Sequence, residues 1–218
     1  MIHRGAVDLS LYLVIGPDDT RGRSMVDVAL RAVEGGVTAI QLRVKHGPTR
    51  AFVEDARRLV AALRPIGIPL IVNDRVDVAL AAGADGVHVG QDDLNPSDTR
   101  RLIGPALTLG VSVSTLLEAE RVDPAIVDYV GVGPVFATPT KPDAADPLGL
   151  SGTEGVCAAL SVPAVGIGGI DRSNAAAVRA AGAQGVAVVS AICWADDPAH
   201  AARELTLAMD PASLAPAR

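Results

Sequence analysis

The run Val76-Asp77-Val78-Ala79-Leu80-Ala81-Ala82-Gly83-Ala84-Asp85-Gly86-Val87-His88-Val89 passes from a helix pattern, through a glycine, into a strand pattern. Its first half is rich in Ala and Leu and holds no breaker. Gly83 permits the left-handed turn that ends a helix. Gly86–Val89 is short, apolar and rich in valine, as a strand should be. The same ending recurs at Glu34-Gly35-Gly36-Val37-Thr38 and at Ala181-Gly182-Ala183-Gln184, each followed by an apolar strand.

Outward from this unit the alternation continues along almost the whole chain. Candidate strands are Leu11–Ile15, Ala39–Val44, Pro69–Asn73, Gly86–Val89, Leu107–Val113, Tyr129–Val132, Ala164–Ile167 and Gly185–Val189. Nearly all are continuous apolar runs, which indicates strands covered on both faces, as in a parallel sheet. Candidate helices are Ser24–Glu34, Thr49–Leu63, Val76–Ala82, Pro96–Ile103, Leu116–Arg121, Gly152–Leu160, Asn174–Ala181 and Pro198–Met209. Ser24, Thr49, Asp74, Asn95, Thr115, Ser151, Ser173 and Asp197 stand at their starts as short polar residues able to cap a first turn. Eight strand-then-helix units with no linker or composition shift predict an α/β fold, a single (β/α)₈ TIM barrel over 1–218 with its core over about 9–209. A doubly wound open sheet is the alternative, but Ile15-Gly16-Pro17-Asp18-Asp19 lacks the Gly-rich dinucleotide turn expected after an early strand.

Composition narrows the function. The chain has 218 residues, 49% hydrophobic and 20% charged, which suits a folded domain rather than disorder. A net charge of −6, lysine only at Lys45 and Lys141, and 2% aromatic residues argue against a nucleic-acid partner. The first residues show no signal-peptide pattern, and no apolar stretch reaches the roughly 18 residues of a membrane span, so a cytoplasmic protein without a membrane partner is expected. Cys157 and Cys193 lack metal spacing and are expected to be small buried hydrophobes. A homo-oligomer is compatible with such a barrel, although nothing in the sequence specifies an interface.

In a barrel, side chains at the C-terminal strand ends converge on one mouth. Gln41, Arg43 and Lys45 alternate onto one face of the second strand, an amide and two cations suited to a multiply charged anion such as a diphosphate. An exposed edge face is the alternative for such a pattern, but an interior barrel strand has no edge. The third strand ends Asn73-Asp74-Arg75, and Gly90-Gln91-Asp92-Asp93 follows the fourth. Carboxylates at adjacent strand ends suit Mg²⁺ shared with phosphates; helix capping for Asp74 and a plain loop charge for Asp92 or Asp93 remain open. Ser112 can donate to an anion. The polar, Pro-rich loop from Gly133 through Gly152 is longer than most connections and reads as a lid or binding loop, with Lys141 placed to cover a phosphate. Gly168-Gly169 lets an anion approach the main chain, or serves a tight turn.

Together, Gln41-Leu42-Arg43-Val44-Lys45, Asn73-Asp74-Arg75, Gly86-Val87-His88-Val89-Gly90-Gln91-Asp92-Asp93-Leu94, Gly133-Pro134-Val135-Phe136 with Thr138-Pro139-Thr140-Lys141, and Gly166-Ile167-Gly168-Gly169-Ile170 resemble the thiamine-phosphate synthase family. The resemblance spans nearly the whole chain and rests on five motifs in order. It implies a transferase that joins hydroxymethylpyrimidine diphosphate to thiazole phosphate, or its carboxylated form, giving thiamine phosphate and pyrophosphate with one Mg²⁺ per site. It further implies that Gln41, Leu42, Arg43, Val44, Lys45, Asn73, Ser112 and Lys141 hold the pyrimidine diphosphate. Among these, Arg43, Lys45, Ser112 and Lys141 would be catalytic. Asp74 and Asp93 would bind the metal, and Thr138, Pro139, Thr140, Gly169, Val189 and Ser190 the thiazole phosphate. A benzylic-type C–O bond beside an aminopyrimidine can ionise before the nucleophile arrives, so no catalytic triad is needed. His88, inside the fourth strand, reads as structural. One departure stands out: where relatives read Ser-x-His-Thr, this chain has Ser112-Val113-Ser114-Thr115. The alternatives are a thiazole tautomerase-like isomerase, which uses a His as acid and base without a metal, and a non-catalytic barrel that binds thiamine precursors.

Overall fold

The computed structural model describes residues 7–138 and 146–210. The strands β1 (Leu11–Ile15), β2 (Ala39–Leu42), β3 (Leu70–Asn73), β4 (Gly86–Val89), β5 (Thr108–Val113), β6 (Tyr129–Val132), β7 (Ala164–Ile167) and β8 (Gly185–Val188) pair in parallel in chain order. Leu13 of β1 lies opposite Val188 of β8, which closes the sheet into a barrel. Around it run α1 (Met25–Glu34), α2 (Thr49–Leu63), α3 (Val76–Ala82), α4 (Pro96–Ile103), α5 (Leu116–Glu120), α6 (Gly149–Ala159), α7 (Ala175–Ala180), α8 (Ser190–Cys193) and α9 (Pro198–Met209). No helix of the described residues is long and apolar enough to cross a membrane.

The unbroken apolar strands are explained by two separate cores. Leu11, Leu13 and Ile15 of β1 pack outward among helix residues such as Val28, Ala32 and Leu205, while Tyr12 and Val14 pack inward with Ala39, Ile71, Tyr129, Val165 and Ala187. Each strand therefore has an apolar demand on both faces. Small residues make room for large ones inside: a Cβ on Gly110 would lie 2.2 Å from Tyr129 Cζ and 2.5 Å from His88 Nδ1. At the N-terminal end of the strands, the buried Arg100 of α4 donates to the carbonyls of Ile126, Gly104 and Leu107 and, at 2.6 Å, to Asp128. Asp128 also accepts from the Leu109 N–H, so one guanidinium ties α4 to the starts of β5 and β6.

Local chemistry adjusts several expected boundaries. Ser24, Asn95, Thr115 and Asp197 do cap α1, α4, α5 and α9 through their side chains. Thr49 instead lies inside α2, behind Pro48, whose fixed backbone suits a helix start. Ser151 falls inside α6, and Ser173 donates to Asp171 while Asn174 precedes α7. Asp74 takes φ 63° and leaves the cap position of α3 to Arg75. The second strand ends at Leu42 rather than Val44. The four-residue α8 and the single 3₁₀ turns Pro17–Thr20 and Arg64–Ile66 are additional elements, too short to impose a sequence period. Cys193 is fully buried and its thiol is pushed up to about 12 by that burial, whereas Cys157 is only half-buried.

Candidate active site

The C-terminal strand ends enclose a cavity of about 440 Å³, within the usual size of a small-molecule site. Gln41 leaves β2 pointing inward, and the alternation persists past the strand end, so Arg43 and Lys45 also line the cavity. Leu42 and Val44, on the opposite phase, pack against the helix-side core. Asn73 and Asp74 enter from β3, Asp93 from the loop after β4, and Ser112 from β5. Thr138, Gly169, Val189 and Ser190 complete the wall on the β6–β8 side. Pro139, Thr140 and Lys141 lie outside the described residues.

Strand order fixes the layout. In an eight-stranded barrel closed in sequence order, β2, β3 and β4 stand across the axis from β6, β7 and β8. Arg43, Lys45, Asp74 and Asp93 thus occupy one wall, and Thr138, Gly168, Gly169 and Ser190 face them, with Asp171 also on that far side.

The charged wall is organised around Asp74. Its left-handed backbone is tolerated better by Asp than by most residues, and such conformations cluster at functional sites. The Asp74 N–H donates to the His88 carbonyl at 2.7 Å, anchoring this turn to β4. Its carboxylate accepts from Lys45 Nζ at 2.7 Å and lies within hydrogen-bond reach of Asp93. Burial, followed by the neighbouring Asp93, raises its pKa above the ordinary carboxylate value, and Lys45 opposes the rise. Asp93 is held in turn by the Gly90 N–H at 2.8 Å. Asp74 and Asp93 thus bring two hard oxygen donors together at adjacent strand ends, with Lys45 drawn onto one of them. Among the described residues no cluster of three or more His, Cys, Asp or Glu side chains is built to hold a metal by protein ligands alone.

The opposite wall is shaped by backbone. Val135 N–H donates to the Ile167 carbonyl and Phe136 N–H to that of Gly168, so the segment after β6 is zipped onto the end of β7. Gly168 and Gly169 take φ 100° and 63°, and a Cβ on Gly169 would lie 2.6 Å from the Ala137 carbonyl oxygen. Glycine is needed there by both conformation and space. Ser114 donates to the Gly133 carbonyl at 2.7 Å, so its hydroxyl joins the ends of β5 and β6.

Several residues of this site were not singled out by sequence reasoning. Tyr12 lines the cavity and Trp194 stands at its rim, where Arg21 lies 5.3 Å over its ring. His88 does sit within β4, yet its ring faces the cavity and meets Tyr129 and Ser112. Period-two alternation was the available signal, since Asn73 and His88 are register partners on neighbouring strands.

Comparison with known proteins gives a consistent result. The family model described as thiamine monophosphate synthase matches residues 11–192. The thiamine-phosphate synthase of Chloroflexus aurantiacus is 54% identical over 199 residues, covering 91% of this chain and 92% of the relative. That of Azorhizobium caulinodans is 50% identical, covering 91% and 93%. The solved structure of thiamine phosphate pyrophosphorylase from Pyrococcus furiosus superposes with a TM-score of 0.84 at 37% identity, covering 94% of this chain and 96% of that one. The match runs from the first strand of the barrel into the helix behind Ser190, across every described wall of the cavity, and the chain belongs to the thiamine monophosphate synthase family.

Proposed function

We propose that the chain joins hydroxymethylpyrimidine diphosphate to thiazole phosphate, forming thiamine phosphate and releasing pyrophosphate. The observation that carries this reading is the division of one cavity into a wall bearing Arg43, Lys45, Asp74 and Asp93 and an opposed wall bearing Thr138, Gly169, Val189 and Ser190. A leaving diphosphate belongs on the first wall and a phosphorylated nucleophile on the second, with the reacting carbon between them. The C–O bond to the diphosphate breaks, its electron pair leaves with pyrophosphate, and the thiazole nitrogen closes the new C–N bond.

Asp74 and Asp93 fit Mg²⁺, a hard cation commonly held by one or two carboxylates together with substrate phosphates. When bound there, Mg²⁺ supplies positive charge against the diphosphate oxygens as charge builds on them. Arg43 and Lys45 add cations to the same oxygens, and Lys141, outside the described residues, is the third cation that the family resemblance assigns to them. Gln41, Asn73 and Ser112 orient the pyrimidine, and the opposing wall holds the thiazole within reach, so catalysis rests on positioning and electrostatics. Ser114 argues against the tautomerase reading, because its hydroxyl is engaged by Gly133 and it offers no imidazole for proton transfer. We place the reaction in the cytoplasm, in keeping with the free thiols of Cys157 and Cys193.

The test is pyrophosphate release with both substrates, either substrate alone, and Mg²⁺ present or chelated. Release that needs both substrates and Mg²⁺, with thiamine phosphate formed in equal amount, is expected. Folded protein that releases none would sink this reading.

A further inference from the structure

Beneath the cavity, side chains from five strands form one continuous hydrogen-bonded chain. Gln41 Nε2 donates to Tyr12 Oη at 3.2 Å, and the oxygens of Tyr12 and Tyr129 are 2.9 Å apart. Tyr129 Oη lies 3.0 Å from His88 Nδ1, and His88 Nε2 lies 2.9 Å from Ser112 Oγ. Gln41, Tyr12, Tyr129 and His88 are all buried. Tyr12 and His88 also border the cavity, but their hydrogen-bonding atoms face their neighbours in this chain of bonds, whose two ends, the Gln41 amide and the Ser112 hydroxyl, lie beside the residues assigned to substrate.

The proton inventory gives the chain a sense of direction. Each tyrosine has one proton to donate, and burial keeps both hydroxyls protonated. With Gln41 donating into Tyr12, Tyr12 must donate onward to Tyr129, since the reverse leaves the Tyr12 proton without an acceptor in a buried place. Tyr129 then donates to His88 Nδ1. The ring proton of His88 therefore sits on Nε2 and is given to Ser112 Oγ, which leaves the Ser112 proton directed at the cavity. Among the described residues neither Gln41 Oε1 nor the Ser112 proton has another partner. Were the Gln41 amide turned over, every bond would reverse, and the cavity would meet an N–H at Gln41 and a bare acceptor at Ser112. The two ends are thus linked: whichever group Gln41 presents, Ser112 presents the complementary one.

We propose that Tyr12, Tyr129 and His88 are positioning residues that lock this relay in the first sense, so that Gln41 offers a carbonyl oxygen and Ser112 a hydroxyl donor. An amino group on a heteroaromatic ring matches the Gln41 oxygen, and an oxo group at the same place opposes it. A phosphate or ring acceptor matches Ser112. The relay, rather than Gln41 alone, sets the preference for an aminopyrimidine. The assignment of substrate rests on the synthase reading; the direction of the relay does not.

Long-range ¹H–¹⁵N NMR of the full chain labelled at its four histidines reads the tautomer directly, with the His88 signal identified by its loss in His88→Asn. Near neutral pH, His88 is expected to be uncharged with its proton on Nε2. A proton on Nδ1, or an imidazolium, overturns the proposal. Tyr129→Phe removes the donor onto Nδ1, and it is expected to admit the other tautomer and to lower the preference for the amino over the oxo pyrimidine diphosphate by about tenfold or more. The KM for thiazole phosphate should stay unchanged. An amino-over-oxo preference equal to that of the parent chain overturns the proposal, and Tyr12→Phe makes the same test should Tyr129→Phe not fold. The NMR measurement needs no substrate, so an inactive protein with the Nε2 tautomer would sink the synthase reading and leave the relay direction standing.

Discussion

Arg43 lies one residue past the end of β2, where its side chain still follows the strand's alternation into the cavity but is no longer held by sheet hydrogen bonds on both sides. If it stabilises a departing diphosphate, Arg43→Ala should lower kcat/KM by at least about 100-fold, the scale of deleting one preorganised electrostatic donor. Steady-state kinetics with both substrates checks this, and near-normal values would refute the role. Asp74 makes an opposite kind of prediction. Its pKa in the fold is raised, so the folded state holds that proton more tightly than the unfolded chain does. Its favourable contribution is therefore present below the ordinary carboxylate pKa and is lost as pH rises through the raised value. Asp74→Asn removes the buried charge and keeps a residue that accepts a left-handed backbone. In chelator at neutral pH the variant should melt at or above the temperature of the parent, while losing most activity. A lower Tm at neutral pH than at mild acid for the parent, and no such slope for the variant, would complete the pattern.

The same glycine type has opposite consequences on different elements. Gly110 on β5 faces Tyr129 and His88 at distances a Cβ cannot occupy, so Gly110→Ala should destabilise by about 1–3 kcal/mol or more through overpacking. Gly155, inside α6, has nothing within 4 Å of where its Cβ would stand, and Gly155→Ala should stabilise by about 0.5–1 kcal/mol. Urea unfolding of the two variants measures both signs. The strands and the longer helices were legible in sequence. The strands could be found because two-sided burial leaves runs such as Leu11–Ile15 without polar interruption. α8 could not, since four residues complete barely one turn. Thr49 and Ser151 were misleading caps because a polar residue beside a helix start competes with others nearby, here Pro48 and the earlier turn at Gly149. The site was legible where residues carry unusual chemistry at strand ends, as Arg43 and Asp74 do. It was not legible for His88 and Tyr12, whose neighbours are apolar on both sides and whose roles depend on the closure of the barrel.

Closure also separates the two ends of the barrel by task. The C-terminal mouth gathers the charged and hydroxyl groups of the cavity, and the far end is fastened by Arg100, which serves three carbonyls and Asp128 from a nearly buried position. Arg100→Leu should destabilise by about 3–5 kcal/mol, because it strands Asp128 and several carbonyls without their donor. Below the transition of the variant, kcat/KM should stay within about twofold of the parent, as the far face of such a barrel serves stability. A large kinetic loss in fully folded variant would show the two ends to be coupled.

The placement of the aromatic residues has an optical consequence. The chain contains one tryptophan, Trp194 at the cavity rim, and two tyrosines, Tyr12 and Tyr129, inside the barrel below it. Nearly all of its near-ultraviolet absorption and intrinsic emission therefore originates at the mouth or interior of one cavity. Substrate entry can be followed by unlabelled fluorescence, with Arg21 against the indole face as the natural reporter of a displaced cation. The near-ultraviolet circular dichroism band becomes chiefly a gauge of this one cavity, its interior through the two tyrosines and its rim through Trp194.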